Sequence, residues 1–246
     1  MLNGEYTNLT KMLGGKVIKI RQGESAGINP FEIEPEFDGK KSYINIKDKV
    51  SEIRNLLATI CRYSQGRSLN GAENGEIEVI TTQLYAERGI TRDANSLYEK
   101  KGGKLDNGKY VIGRIAKRMP TLTDFYRKLV ERNKCEELAQ ILVPYLRGNS
   151  LGLFDCESTI DSNLDIISFD MSEIKDEFTK LYSSFVVLTW VWQKLILKNK
   201  EKRKIAVCDE GWVFLKYKES ADFLVNVARR GRKYNVSLYI RKSIYR

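Results

Sequence analysis

Residues 205–210 read I-A-V-C-D-E, an apolar run that ends in two adjacent carboxylates, Asp209 and Glu210. A run of that length suits a buried β-strand, and open α/β sheets bind their ligands just beyond the carboxyl ends of the strands. A carboxylate placed there can hold a Mg²⁺ ion, usually through water. Its neighbour can polarise a water molecule for attack on phosphorus. The same residues also suit a strand that ends in two solvated acids, and the pair by itself leaves both readings open.

The strand ending in Asp-Glu is the layout of a Walker B element. A second candidate group lies at residues 228–235, A-R-R-G-R-K-Y-N. In ring ATPases an arginine reaches a neighbour's γ-phosphate and stabilises charge in the transition state, a role open to Arg229 and Arg230. Basic residues at a helix terminus are also favoured by the macrodipole, and the cluster could touch DNA phosphates. The run K-N-K-E-K-R-K at 198–204 reads first as a solvated connection and second as a DNA contact. Residues 103–109, G-K-L-D-N-G-K, match G-x-x-x-x-G-K of a phosphate-binding loop, but Tyr110 stands where a metal-ligating hydroxyl is required. No apolar strand precedes them, so they read as a glycine-rich turn.

Other chemistry is excluded by composition. The chain has no histidine, which removes Ser-His-Asp and Cys-His catalysis. Cys61, Cys135, Cys156 and Cys208 form no C-x-x-C pair, so zinc sites are not expected and the thiols read as reduced. Lys and Arg number 42 against 32 Asp and Glu, a surplus of +10 that favours anionic neighbours such as nucleic acid or membrane surfaces. The first residues show no apolar secretory signal. The most apolar stretch, at 185–197, is broken by Gln193 and Lys194 and reads as a buried core helix, too short to span a bilayer.

The elements that must position the carboxylates follow from periodicity. A short helix at 5–13 and a strand at 16–20 open the chain. Ile53, Leu56, Leu57 and Ile60 begin a mainly helical stretch that runs to Gly148, with residues 97–111 as a loop. Thr121 and Asp124 form a capping pattern for one of its helices. After Gly148 strands at 165–171, 205–208 and 236–240 alternate with helices at 178–197 and 220–233. That order predicts an α/β fold with a mostly parallel sheet. The expected division is residues 1–46 and 148–246 in the sheet and 47–147 as a helical insertion.

In this order the segments resemble the C-terminal P-loop ATPase domain of the type IV secretion and conjugal-transfer ATPases, the TraC-like and VirB-four-like family. Gly4-Glu5-Tyr6 with Gly14-Gly15, Ile28-Asn29-Pro30-Phe31, Pro120-Thr121-Leu122-Thr123-Asp124, Gly152-Leu153-Phe154-Asp155, Ile167-Ser168-Phe169-Asp170, Val207-Cys208-Asp209-Glu210-Gly211-Trp212 and residues 228–235 carry the resemblance. It implies an incomplete RecA-like (P-loop NTPase) sheet with a mainly helical insertion. It also implies an ATP-driven motor, with ATP and Mg²⁺ as cofactors, Asp209 on the metal, and Glu210, Arg229 and Arg230 as catalytic groups. Implied partners are other secretion subunits and DNA, in a homo-oligomer, a hexamer in the intact family, at the cytoplasmic face of the inner membrane. A related DNA-pumping ATPase or a non-enzymatic basic scaffold are the alternatives.

The family places its phosphate loop before the G-E-Y segment and a Thr-Gln sensor after the last strand. Here Met1 stands three residues before Gly4, and residues 236–240 lead into Arg241-Lys242-Ser243. The expectation is therefore a chain cut at both ends that does not hydrolyse ATP by itself.

Overall fold

The computed structural model describes residues 5–99, 103–104, 110–111, 113–160, 164–197, 201–209, 211–216 and 218–241. The chain opens with α1 (Glu5–Met12), followed by β1 (Lys16–Lys19). Gly14 takes a left-handed turn (φ 74°) that only glycine adopts easily. A β-carbon on Gly15 would lie 2.7 Å from the Ile166 side chain. The glycine pair is thus needed to turn α1 closely onto the strands. A small antiparallel hairpin follows, β2 (Glu36–Phe37) with β3 (Ser42–Tyr43).

The middle of the chain is mainly helical. α2 (Ile46–Gln65) starts on Asn45, which caps the Asp48 N–H, and stops at Gly66 in the left-handed region. α3 (Gly71–Glu87) starts on a reciprocal capping box between Asn70 and Glu73. Residues 97–111, expected to be a loop, hold short strands instead. β4 (Tyr98–Glu99) pairs antiparallel with β7 (Ile115–Ala116), and β5 (Gly103–Lys104) with β6 (Tyr110–Val111). α4 (Leu122–Arg132) has the expected Thr121–Asp124 capping box. α5 (Glu136–Leu142) ends earlier than its periodicity suggests, because Pro144 tightens the chain into a 3₁₀ turn at Val143–Tyr145.

The remaining elements alternate as the sequence predicts. β8 (Ile167–Asp170) leads to α6 (Glu177–Val191), whose last turns widen into a π-helix at Trp192–Leu197. β9 (Lys204–Asp209), a 3₁₀ turn at Gly211–Lys216, α7 (Lys218–Gly231), a second 3₁₀ turn at Arg232–Tyr234 and β10 (Val236–Arg241) complete the chain. Among the described residues the parallel strands form two separate pairs, β1 with β8 and β9 with β10.

One core runs through both the helical segment and the strand segment. It joins Ile18, Leu57, Phe125, Leu142, Tyr182 and Phe185, all nearly or fully inaccessible to water. A smaller cluster gathers Ile33, Tyr85, Ile90 and Met119 beneath the first hairpin. The motifs at 28–31, 120–124 and 152–155 meet where these layers join. Asn29 donates from Nδ2 to the Pro120 carbonyl (2.7 Å) and accepts from the Phe31 N–H (2.9 Å). Asp155, 1% exposed, accepts from the Thr123 N–H (2.9 Å), the Thr123 hydroxyl and the Arg147 N–H (2.7 Å). Tyr85 donates its hydroxyl to the Phe31 carbonyl (2.6 Å). These three motifs stitch the helical insertion to the strands.

Candidate active site at the carboxyl edge of the strands

Asp209 is the last residue of β9 and stands exposed at its carboxyl end. The strand that carries it is not buried on both faces, contrary to what its apolar sequence suggests. Its residues alternate, with Ile205 72% and Val207 56% exposed on one face and Cys208 packed against the core on the other. Among the described residues only β10 pairs with it, and nothing described covers the face that carries Ile205 and Val207. Burial and the adjoining Asp209 carboxylate push the Cys208 thiol up to about 11, which keeps it neutral at physiological pH. Glu210 lies outside the described residues.

The first turn of α1 brings the two strand pairs to a common edge. Asp170, at the carboxyl end of β8, accepts a hydrogen bond from the Thr7 hydroxyl (3.3 Å). One residue earlier, the Tyr6 hydroxyl accepts from Arg241 (3.3 Å), and Arg241 is the register partner of Asp209. Burial works against the charge on Asp170. Bonds from the Ser172 hydroxyl and N–H and from Thr7 outweigh it and hold the carboxyl below its ordinary range. Asp170, Tyr6, Thr7 and Arg241 were not singled out for this edge by the sequence. The available signal was a strand ending in aspartate at 167–170, the same layout that drew attention to Asp209.

The two arginines lie elsewhere. β10 starts opposite the start of β9, with Val236 in register with Lys204, and α7 ends just before β10. The end of α7 therefore sits by the amino ends of the strands. Asp209 lies five residues further along β9, roughly 17 Å away at ordinary strand rise. Arg229 is exposed and makes no hydrogen bond or ion pair with a described residue. Arg230 is engaged. It pairs with Glu36 (3.4 Å) and Asp48 (3.3 Å), and its guanidinium lies 5.0 Å from the centre of the Trp192 ring. Burial opposes the charge of Arg230, and the two carboxylates overcome that opposition. Arg230 thus ties α7 to the first hairpin and to α2. The structure brings Asp209 together with neither arginine within one chain.

The groups at the edge fit one half of a Mg-nucleotide site. Mg²⁺ usually takes one or two protein carboxylates and completes its shell with water and phosphate oxygens, which Asp209 can satisfy from an exposed strand end. Among the described residues no group of three or more His, Cys, Asp and Glu could hold a metal by itself. The phosphate half is not supplied by residues 103–109. Gly103 and Lys104 pair antiparallel with Val111 and Tyr110, so Gly103 and Lys104 belong to a strand rather than to a turn that follows one. Its residues 105–109 lie outside the described ones.

No family model matches the sequence, and no curated protein matches it. Among solved structures the chain is similar to VirB4 of Thermoanaerobacter pseudethanolicus, with a TM-score of 0.73 and 22% identity. The chain shares the fold of that protein. The similarity covers 97% of this chain and 59% of the VirB4 chain, so the residues here span less than two thirds of that protein. The VirB4-like fold accounts for the α/β class, the parallel strand pairs and the mainly helical insertion between them. Among the described residues no helix is long and apolar enough to cross a membrane.

Proposed function

We propose that the chain is part of an ATP-driven motor of the type IV secretion and conjugal-transfer class. The observation that supports this reading is Asp209, exposed at the carboxyl end of a parallel strand in a VirB4-like fold, where such folds carry ligands. Asp209 would hold Mg²⁺ through water, and Glu210 would orient the attacking water. When bound there, Mg²⁺ would neutralise charge on the terminal phosphates. Arg229, exposed at the far end of α7, suits contact with a phosphate bound by a neighbouring copy. Arg230, committed to Glu36 and Asp48, anchors α7. A homo-oligomer, hexameric in the family that the sequence resembles, working with other secretion subunits at the inner face of the membrane, completes the reading.

The 246 residues contain no G-x-x-x-x-G-K-S/T segment. Phosphoryl transfer depends on positioning and charge stabilisation, so this polypeptide alone is expected to be inactive. The test is hydrolysis of Mg-ATP by the purified chain, and by the same chain extended with a segment that carries a phosphate loop. The extended chain should turn over ATP and lose turnover on Asp209→Ala or Glu210→Gln. Turnover that survives both substitutions would remove the site from β9. Turnover by the unextended chain, abolished by Glu210→Gln, would show that a complete site already exists.

A further inference from the structure

Lys204 opens β9 at the end of the strands opposite Asp209, in register with Val236 of β10. Its backbone N–H donates to the Asn235 carbonyl (2.9 Å). Its Nζ donates to the carbonyls of Tyr234 (3.1 Å) and Lys202 (2.9 Å). The half-buried side chain thus ties the start of β9 to the turn between α7 and β10. Tyr234 and Asn235 also line a cleft of about 360 Å³, whose other walls are the first hairpin at Asp38 and Gly39 and the chain at Glu201.

The two carbonyls suit a neutral amine. An ammonium has three N–H groups and an amine has two, and two are taken here. Loss of the third proton therefore breaks neither bond and leaves a lone pair on the remaining corner of the nitrogen. The surrounding charges give the ammonium little support. Burial pushes the amine below its ordinary value of 10.5, and Glu201 opposes this but is outweighed. Asp165 is occupied with Lys202 (3.0 Å). Across the cleft Asp38 accepts the N–H groups of Lys40 and Lys41 (both 2.8 Å). Arg203 precedes Lys204, and Arg232 and Lys233 precede Tyr234. Cations outnumber acids on each of these three segments.

We propose that Lys204 is an acylation site, modified by small anionic donors of the acyl phosphate class. The Nζ lone pair attacks the acyl carbon. The C–N bond forms as the C–O bond to phosphate breaks, and the amine proton leaves with the phosphate. The nearby cations draw in the charged donor, and the two carbonyls keep the amine in place as a nucleophile. The product amide is uncharged and has one N–H where the amine had two. One carbonyl therefore loses its bond, and the tie between β9 and the end of α7 is weakened. The site is at the far end of β9 from Asp209 and does not rest on the nucleotide reading.

The test is labelling of the full chain with acetyl phosphate, with no nucleotide present, followed by cleavage after glutamate and mass spectrometry. Cleavage after Glu201 and Glu210 releases residues 202–210, in which fragmentation separates Lys202 from Lys204. At about pH 7.5, Lys204 should be acetylated about threefold or more faster than Lys175, an exposed lysine on the connection from β8 to α6. The rate at Lys204 should reach half its limiting value at a lower pH in the folded chain than in the same chain unfolded in urea. Added salt should slow acetylation by acetyl phosphate and leave that by an uncharged acetyl ester unchanged, because only the anion is steered. Lys204→Arg, which keeps donors for the two carbonyls, should remove the fast-reacting position and leave the rate at Lys175 as it was. Acetylation of Lys204 no faster than that of Lys175 would overturn the proposal. So would a half-rate pH that is the same in the folded and unfolded chain. An equal response of the two reagents to salt would remove acyl phosphates as the donor class, and overturn it as well.

Discussion

Asp155 is a charged residue almost wholly withdrawn from water, and it is stable there because two N–H groups and a hydroxyl converge on its carboxylate. Asp155→Ala leaves the Thr123 and Arg147 donors without their acceptor and opens a void where the carboxylate was buried. It should cost about 3 kcal/mol, read as a lower urea midpoint at unchanged slope. Asp155→Asn should cost less, since one acceptor oxygen remains. Glu73 carries a pH signature. Its bond from Arg67, helped by the Asn70 N–H, outweighs burial and holds the carboxyl below its ordinary value of 4.5. The folded carboxyl is the stronger acid, so its contribution is complete above about pH 4.5 and is lost as pH falls through the lower folded value. Stability measured by urea should therefore fall on acidification below about pH 4.5, and Glu73→Gln should make that fall shallower. The sequence marks Asp155 only as a member of a short motif, and Glu73 is not singled out there at all. The Thr121–Asp124 and Asn70–Glu73 boxes are local, and a capping pattern can be read from spacing. The partners of Asp155 lie 32 residues back and 8 residues back, and no periodicity reports such a contact.

At the scale of elements, helix positions follow from periodicity with small shifts at their ends, and the shifts have causes. α5 stops at Pro144, and α6 gives way to a π-helix at Trp192, before Gln193 and Lys194. Those two residues interrupt an apolar run, and the wider turn puts them to use. Gln193 donates to both Glu52 carboxylate oxygens (3.1 and 3.3 Å) and accepts the Glu34 N–H (3.2 Å). Lys194 sits 2.7 Å from each of Glu32 and Glu34. Burial lowers its proton affinity, but the two carboxylates raise it by more. Lys194→Met would leave two half-hidden carboxylates side by side without a cation, a loss of about 3 kcal/mol by urea denaturation. A melting temperature equal to that of the wild type would refute this account of the π turn. Neither the π turn nor the short hairpins at 98–116 were legible. Two-residue strands carry no alternation, and a one-residue widening of a helix barely alters its period.

For the whole molecule, the order of strands and helices was legible and the pairing of strands was not. Apolar runs show that β8, β9 and β10 exist, but register is set by contacts between distant segments. The sequence of β9 gives no sign that one of its faces is open, because an apolar run looks the same whether or not anything covers it. Ile205, Val207 and Tyr239 are together exposed on that face. The chain should therefore associate as its concentration rises. Val207→Lys with Tyr239→Thr should lower both light scattering and the fluorescence of an apolar dye, by about half or more on loss of an apolar patch. Unchanged scattering would place the contact elsewhere. The separation of Asp209 from Arg229 along β9 has a consequence for any active form. Under the proposed function, a single copy would hold the candidate metal carboxylate of Asp209 and the candidate phosphate-binding Arg229 at opposite ends of the strands, so neither would complete the other's site. Two variants, one without Asp209 and one without Arg229, would each be silent alone, and would restore turnover to one another when mixed. The rate would fall on dilution while every copy stayed folded, because the reacting unit would be the seam between two molecules.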